Sequence, residues 1–403
     1  MENFDRKQLK YTKNDILLSG HALSELLLKN KTPFYVYSET ILENNFSKFT
    51  QAIKKNKQDA LVCFAMKSNN NINVLRSLGR LGAGADIVSG GELKQALKAG
   101  ISASKIVFSG VGKTEDEISF GIKKGIYSFN VESIEELKLI NEVATKLKKT
   151  ARVAFRLNPK VHAKTHKHIS TGYKTHKFGM LEEDILSIMK IESLWTNIKL
   201  VGLSVHIGSQ LTCLKATLSA VKKLCLCAKK LNTEIEFIDV GGGLGVNYTN
   251  ESLAPTVLEY ITEVNKIIIA HFPKIKVVYE PGRRISASAG FFVTKIIRTK
   301  TSENCRFLIV DGGMNDFVRP SLYDAFHEIY PSRKSSKLVA TDIVGPICET
   351  ADCFGTNRKL PLLEKDDYVI IADTGAYGHS MSSTYNMRTL PKEIFLSSDL
   401  KKK

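Results

Sequence analysis

The chain has 403 residues, 43% of them hydrophobic and 25% charged, with a formal net charge of +17. That is the composition of a globular protein, long enough for two domains or for one large α/β barrel with an addition. It excludes a membrane span, because no run approaches about 18 uninterrupted apolar residues. It also gives no support to nucleic-acid binding, because the lysines scatter over helix-like segments such as ELKLINEVATKLKK (136–149) and form no stripe interleaved with aromatics.

The N-terminal MENFDRKQLK has no apolar core of the signal-peptide kind, so a cytoplasmic protein is expected. The first 30 or so residues do not join the rhythm that follows. From residue 61 to 283, β-rich apolar runs alternate with spans that have room for a helix. The runs are LVCFAMK (61–67), ADIVS (85–89), IVFSG (106–110), YSFNV (127–131), RVAFRLN (152–158), LVGLSVHIGS (200–209), FIDVGGG (237–243) and VVYEPGR (277–283). Eight such alternations predict a parallel sheet, and eight is the number that closes a (β/α)8 TIM barrel; an open doubly wound sheet has the same rhythm. After residue 290 the strands FFVTKIIRTK, CRFLIVDGG, KLVATDIVG and DYVIIADTGAYG follow one another without long helices. That predicts a second, mostly antiparallel β domain. The expected division is a barrel over 31–285, with 1–30 and 286–403 forming the second domain.

The seven cysteines include no paired C-x-x-C, and those in CLKATLSAVKKLCLC (213–227) read as small core residues of a helix. No disulfide framework is expected. Nor is a metal: the four histidines of HAKTHKHISTGYKTHKFG (162–179) lack the carboxylate or cysteine partners of a defined site.

The polar ends of the eight runs carry the chemistry. In order they are Lys67, Asp86 with Ser89, Ser109, Asn130, Arg156, His206, a triple glycine, and Glu280 with Arg283. In such barrels catalytic groups sit where strands end, at one shared rim. Each alone has a plain structural explanation: a solvated lysine, a core histidine, a tight glycine turn. Together, a lysine amine, the glycine loop GGGLG (241–245) and a carboxylate suggest pyridoxal 5′-phosphate. Lys67 would form the Schiff base, the loop would receive the phosphate, and Glu280 would keep the ring nitrogen protonated. His206 could stack on the ring.

The segments FAMKSN, ADIVSGGEL, HIGSQ, DVGGGLG, EPGR, GPICET and GAYG, in this order, resemble the alanine-racemase-like (fold type III) pyridoxal-phosphate decarboxylases. The resemblance runs from about TPFYVYSE (32–39) to YNMRTLP (385–391). Within that group the chain is similar to the branch that decarboxylates meso-2,6-diaminopimelate to L-lysine. The resemblance implies Lys67 as the Schiff-base lysine and His206 against the ring. It implies Gly242, Gly243, Ser209, Gly282, Arg283 and Tyr377 around the cofactor, Glu280 at its nitrogen, and Arg156 paired with Asp86. It implies Arg283, Arg319, Tyr323, Glu349 and Tyr377 as the substrate shell, and HISTG…KFG as a substrate loop. Guanidinium groups suit the far carboxylate of such a substrate, and Glu349 suits its far ammonium. Cys348 would return a proton after carbon dioxide leaves, reaching the site from the partner subunit of a homodimer.

Two other enzymes and one non-enzyme remain as alternatives. Glu280 disfavours an amino-acid racemase of this fold, which sets an arginine against the ring nitrogen. Arg319 and Glu349 disfavour an ornithine- or arginine-type decarboxylase. A regulatory relative without activity would be free to lose Lys67, Glu280 and Cys348, which are all present.

Overall fold

A computed structural model describes residues 9–13, 15–161, 177–249, 254–303 and 305–398. The chain falls into two units. One comprises Asn45–Gly245 and Ala254–Arg284; the other comprises Met1–Asn44, Val246–Leu253 and Ile285–Lys403.

The first unit is the barrel. Its strands are β1 (Ala60–Ala65), β2 (Gly84–Ile87), β3 (Ile106–Phe108), β4 (Ser128–Val131), β5 (Ala151–Arg156), β6 (Ile198–Ser204), β7 (Phe237–Asp239) and β8 (Lys276–Tyr279). Each pairs in parallel with its neighbour in sequence, and β8 closes on β1 with Val277 opposite Ala60. β2, β3 and β4 are buried along their whole length, as parallel strands wrapped by helices must be. Cys63, Val107, Ala154, Val201, Phe237 and Val278 form one interior cluster. Gly202 makes room for it, because a Cβ there would lie 2.8 Å from the Phe237 ring and 2.7 Å from its carbonyl oxygen. The β5–β6 register slips beside it, between Leu200 and Gly202.

Serine and threonine start four of the outer helices and so end their strand-to-helix loops. Ser89 Oγ accepts the Glu92 N–H at 3.2 Å before Gly90–Lys98, and Ser133 caps Ile134–Leu147. Thr114 and Thr256 open capping boxes with Glu117 and Glu259. Ser89, one of the polar strand ends, is therefore a helix cap.

The second unit carries an eight-stranded, mostly antiparallel sheet. Its spine is Gly290–Ser302, which pairs antiparallel with Cys305–Val310, Tyr368–Ala372 and Phe34–Ser38. Two ladders are parallel: Cys305–Val310 with Leu338–Val344, and Lys392–Leu396 with Phe34–Ser38. A small antiparallel sheet, Leu9–Tyr11, Ile16–Leu18 and His21–Ala22, belongs to the same unit. The barrel with a second antiparallel sheet is thus the fold expected, with differences of boundary. Residues 31–44, Val246–Leu253 and Ile285 fall in the second unit, the first of these because Phe34–Ser38 finds its hydrogen bonds there.

Candidate active site

β1 ends at Ala65, and one 3-10 turn, Met66–Ser68, follows; Ser68 Oγ closes it by donating to the Ala65 carbonyl at 2.8 Å. The turn sets the Lys67 amine 2.9 Å from Asp86 Oδ2, with the lysine side chain 36% exposed and the aspartate side chain 0%. A solvated lysine would have no such fixed partner. Strand adjacency explains the pair, since Ala65 and Asp86 are opposite each other in the β1–β2 ladder.

Three buried groups from β4, β7 and the end of β8 meet beside it. Asn130 Nδ2 lies 3.1 Å from Asp239 Oδ2, 3.3 Å from Glu280 Oε1 and 3.1 Å from Ser109 Oγ. Asp239 Oδ1 accepts the Gly241 N–H at 2.8 Å. Burial, then the charges of Asp239 and Asp86, push the Glu280 carboxyl well above the usual carboxylate range. Burial raises Asp239 less, to about 6, because hydrogen bonds from Glu280, Gly241 and Asn130 favour its charged form.

His206, just beyond β6, is driven well below the usual imidazole range by burial and then by the Lys67 and Arg156 cations. Its Nδ1 accepts the Gly242 N–H at 3.2 Å, so the neutral ring carries its proton on Nε2. Gly242 has no substitute, because a Cβ would stand 2.0 Å from the Glu280 carbonyl oxygen. Gly243 follows at φ 101°. Ser209 Oγ lies 3.2 Å from Arg283 Nη2, on the first residue of the short helix Arg283–Ser286, which Gly282 precedes.

Arg156 does not pair with Asp86. Its Nη1 donates to Glu132 Oε1 at 2.6 Å, and Glu132 Oε2 accepts the Gly179 N–H at 2.7 Å. The reason is the order of strands: Glu132 directly follows β4, the neighbour of β5, whereas β2 is three strands away. Glu132 and Asp239 are the two site residues that the sequence reading missed. An acid at the end of an apolar run, as in FIDV, was the available signal. Most of the HISTG…KFG segment lies outside the described residues; its end brings Phe178, whose ring lies 4.9 Å from the Arg156 guanidinium carbon.

Lys67, Asn130, Arg156, Phe178, His206 and Glu280 share one cavity of about 320 Å³. Asp86 Oδ1 and Asn130 Oδ1 are buried without a hydrogen-bond donor among the described residues. An amine, the unfilled acceptor of Asn130 and a buried carboxyl whose proton affinity is raised line one cavity, and they fit a pyridoxal ring in chemical type. A wider cavity of about 600 Å³ lies at the starting ends of the strands, beside Ala60, Leu61 and Tyr127. Of its three lysines, Lys105 donates to the Gly82 carbonyl and Lys276 pairs with Asp59, and no carboxyl is among the residues that line it. Among the described residues no group of three or more histidines, cysteines or acids could hold a metal.

In the second unit Arg319 opens the short helix Arg319–Tyr323. Its Nη1 donates to Tyr248 Oη at 3.1 Å and to His327 Nε2 at 2.7 Å, and His327 Nδ1 lies 2.9 Å from the Ala372 carbonyl. Tyr323 ends that helix, half-buried. Glu349 accepts the Tyr385 hydroxyl at 2.6 Å, and the Cys348 thiol beside it is exposed. Tyr377 packs against Val246, Tyr248, Ala287 and Ala376 at φ 57°, a conformation uncommon for a bulky side chain.

Residues 42–287 match the family model described as pyridoxal-dependent decarboxylase, pyridoxal binding domain. A diaminopimelate decarboxylase of Aquifex aeolicus is 41% identical over 392 residues, 96% of this chain and 92% of that protein. The crystal structure of diaminopimelate decarboxylase from Helicobacter pylori complexed with L-lysine is 41% identical and superposes with a TM-score of 0.88, over 93% of this chain and 94% of that one. The enzyme from M. jannaschii in co-complex with L-lysine gives 0.93 at 36% identity, over 98% and 94%.

Proposed function

Because the chain belongs to the pyridoxal-dependent decarboxylases, and among them to the diaminopimelate decarboxylases, we propose that it removes one carboxylate of meso-2,6-diaminopimelate as carbon dioxide and releases L-lysine. The observation that carries the reading is the wall of the barrel cavity, where an amine held by a buried aspartate and a buried carboxyl, Glu280, occur together.

Bound pyridoxal 5′-phosphate supplies an electron-accepting ring that lets a carboxylate leave. Lys67 is the amine that holds it, and Asp86 orients that amine. Glu280 holds a proton at the ring nitrogen. His206, neutral at pH 7, offers the ring a flat face without adding a charge. Gly242, Gly243, Ser209 and Tyr377 receive the phosphate, with Gly282 and Arg283 beside the cofactor. For the substrate, Arg283, Arg319, Tyr323 and Tyr377 orient the carboxylates and Glu349 takes the far ammonium. Cys348 of the partner subunit moves a proton from its Sγ to the carbon that lost carbon dioxide. The working form is therefore a homodimer, acting in the cytoplasm, with neither nucleic acid nor membrane as a partner.

The test is carbon dioxide release by the full chain loaded with cofactor, with meso-diaminopimelate, ornithine and arginine offered separately. Release from meso-diaminopimelate alone, with lysine as product, is expected. Release from ornithine or arginine would remove Arg319 and Glu349 from the substrate shell. No release with cofactor visibly bound would overturn the reading.

A further inference from the structure

Glu280 does not stand alone at the cavity wall. Asp239, the last residue of β7, is fully buried, with a relative exposure of 0%. Its Oδ2 and Glu280 Oε1 both face Asn130 Nδ2, at 3.1 and 3.3 Å. Two ionised carboxylates converging on one buried amide nitrogen repel each other, so the pair favours holding one proton. The surroundings decide which residue carries it. Asp239 already accepts the Gly241 N–H through Oδ1 and faces Asn130 Nδ2 through Oδ2. Both of its oxygens are thus committed as acceptors, which favours its charged form. Glu280 has one oxygen facing Asn130 and borders the cavity.

We propose that Asp239 is a positioning residue that keeps a proton on the Glu280 carboxyl at the cavity wall. This rests on the reading of Glu280 as the partner of the cofactor's ring nitrogen, and it deepens that reading. A lone buried glutamate would meet the nitrogen either as an acid or as a base. With Asp239 behind it, the pair has one proton and one negative charge at neutral pH. The proton can then sit at the nitrogen while the charge behind it is retained. The other charged and titratable groups that act on Glu280 are Lys67 after β1, Asp86 on β2, Cys63 on β1 and Tyr260 on the helix Val257–His271. Lys67 favours ionisation; Asp86 opposes it, as Asp239 does.

The experiment is an infrared titration of the cofactor-free full chain, following the stretch of protonated carboxyl groups, on the wild type, E280Q and D239N. The wild type is expected to retain at pH 7 a protonated-carboxyl band that E280Q removes. In D239N that band is expected to titrate at least one pH unit lower, since a like charge has been removed. After cofactor loading, D239N is expected to lose at least tenfold in kcat with KM changed less than threefold. A D239N band with an unshifted midpoint overturns the proposal, as does a wild-type Glu280 that is already ionised at pH 7. The wild-type and E280Q titrations decide that second point even if D239N fails to fold. If E280Q removes the band but leaves cofactor affinity and kcat unmoved, the proton assignment stands and the ring-nitrogen reading falls.

Discussion

Arg156 shows what strand order does to a buried charge. Its side chain is 9% exposed and that of Glu132 3%, so each is the other's substitute for water. Removing one partner of such a pair costs about 3–5 kcal/mol, because the charge left behind stays buried. Glu132→Ala is therefore expected to lower the unfolding free energy measured in urea by that order, and Glu132→Gln, which keeps an acceptor for the Gly179 N–H, by less. Equal midpoints for both variants would mean that the ion pair contributes nothing beyond packing. Lys67, Glu280 and His206 were legible in the sequence because each is the wrong chemistry for the end of an apolar run. The partner of Arg156 was not. The resemblance implied Asp86 as that partner, whereas a side chain reaches first the strand beside its own, and Glu132 stands there while Asp86 stands beside β1.

Among the elements, all eight runs became strands, because parallel strands buried on two faces leave an unmistakable apolar signature. Their ends were less legible. The run 200–209 is a strand only to Ser204; beyond it the Val205 N–H goes to the Asp239 carbonyl and the Leu211 N–H to Gly243, pairings made by the loop that carries His206. The opposite strand ends are tied as well. Glu236, just before β7, accepts from Arg152 on β5 at 2.6 Å and from Lys199 on β6 at 2.8 Å. These cations hold its carboxyl down to about 2, against an ordinary value of 4.5. A carboxylate with a depressed folded-state value contributes stability above about pH 4.5 and loses it as pH falls toward 2. Glu236→Gln should therefore be less stable than the wild type at pH 7 and lose less between pH 4.5 and 2. Thermal midpoints across that range would check it, and the difference should shrink in high salt because the triad is partly exposed.

At the scale of the molecule, the second unit is assembled from three separated stretches, and nothing local in the sequence announces this. Phe34–Ser38 is a fully buried β run followed by the helix Glu39–Lys55, the same rhythm as a barrel repeat. Its hydrogen bonds instead join Gly290–Ser302 and Lys392–Leu396, more than 250 residues on. The stretch Val246–Leu253 joins the same unit, and through it Tyr248 meets Arg319. The assembly supports Arg319 by a defined chain: the His327 Nδ1–H donates to the Ala372 carbonyl, which leaves Nε2 to accept from the guanidinium. A guanidinium braced in this way loses little freedom when it takes a carboxylate, and one charge-assisted hydrogen bond is worth about 1.5–3 kcal/mol. Arg319→Ala is accordingly expected to raise KM for meso-diaminopimelate roughly 10- to 100-fold while the absorbance of bound cofactor is retained. Arg319→Lys keeps the charge without the planar fork and should recover only part of that loss. Because Arg319 is also buried against Tyr248, thermal midpoints must accompany the kinetics. If KM, cofactor affinity and midpoint fall away together, the residue is a strut of the second sheet; if KM moves alone, it belongs to the substrate.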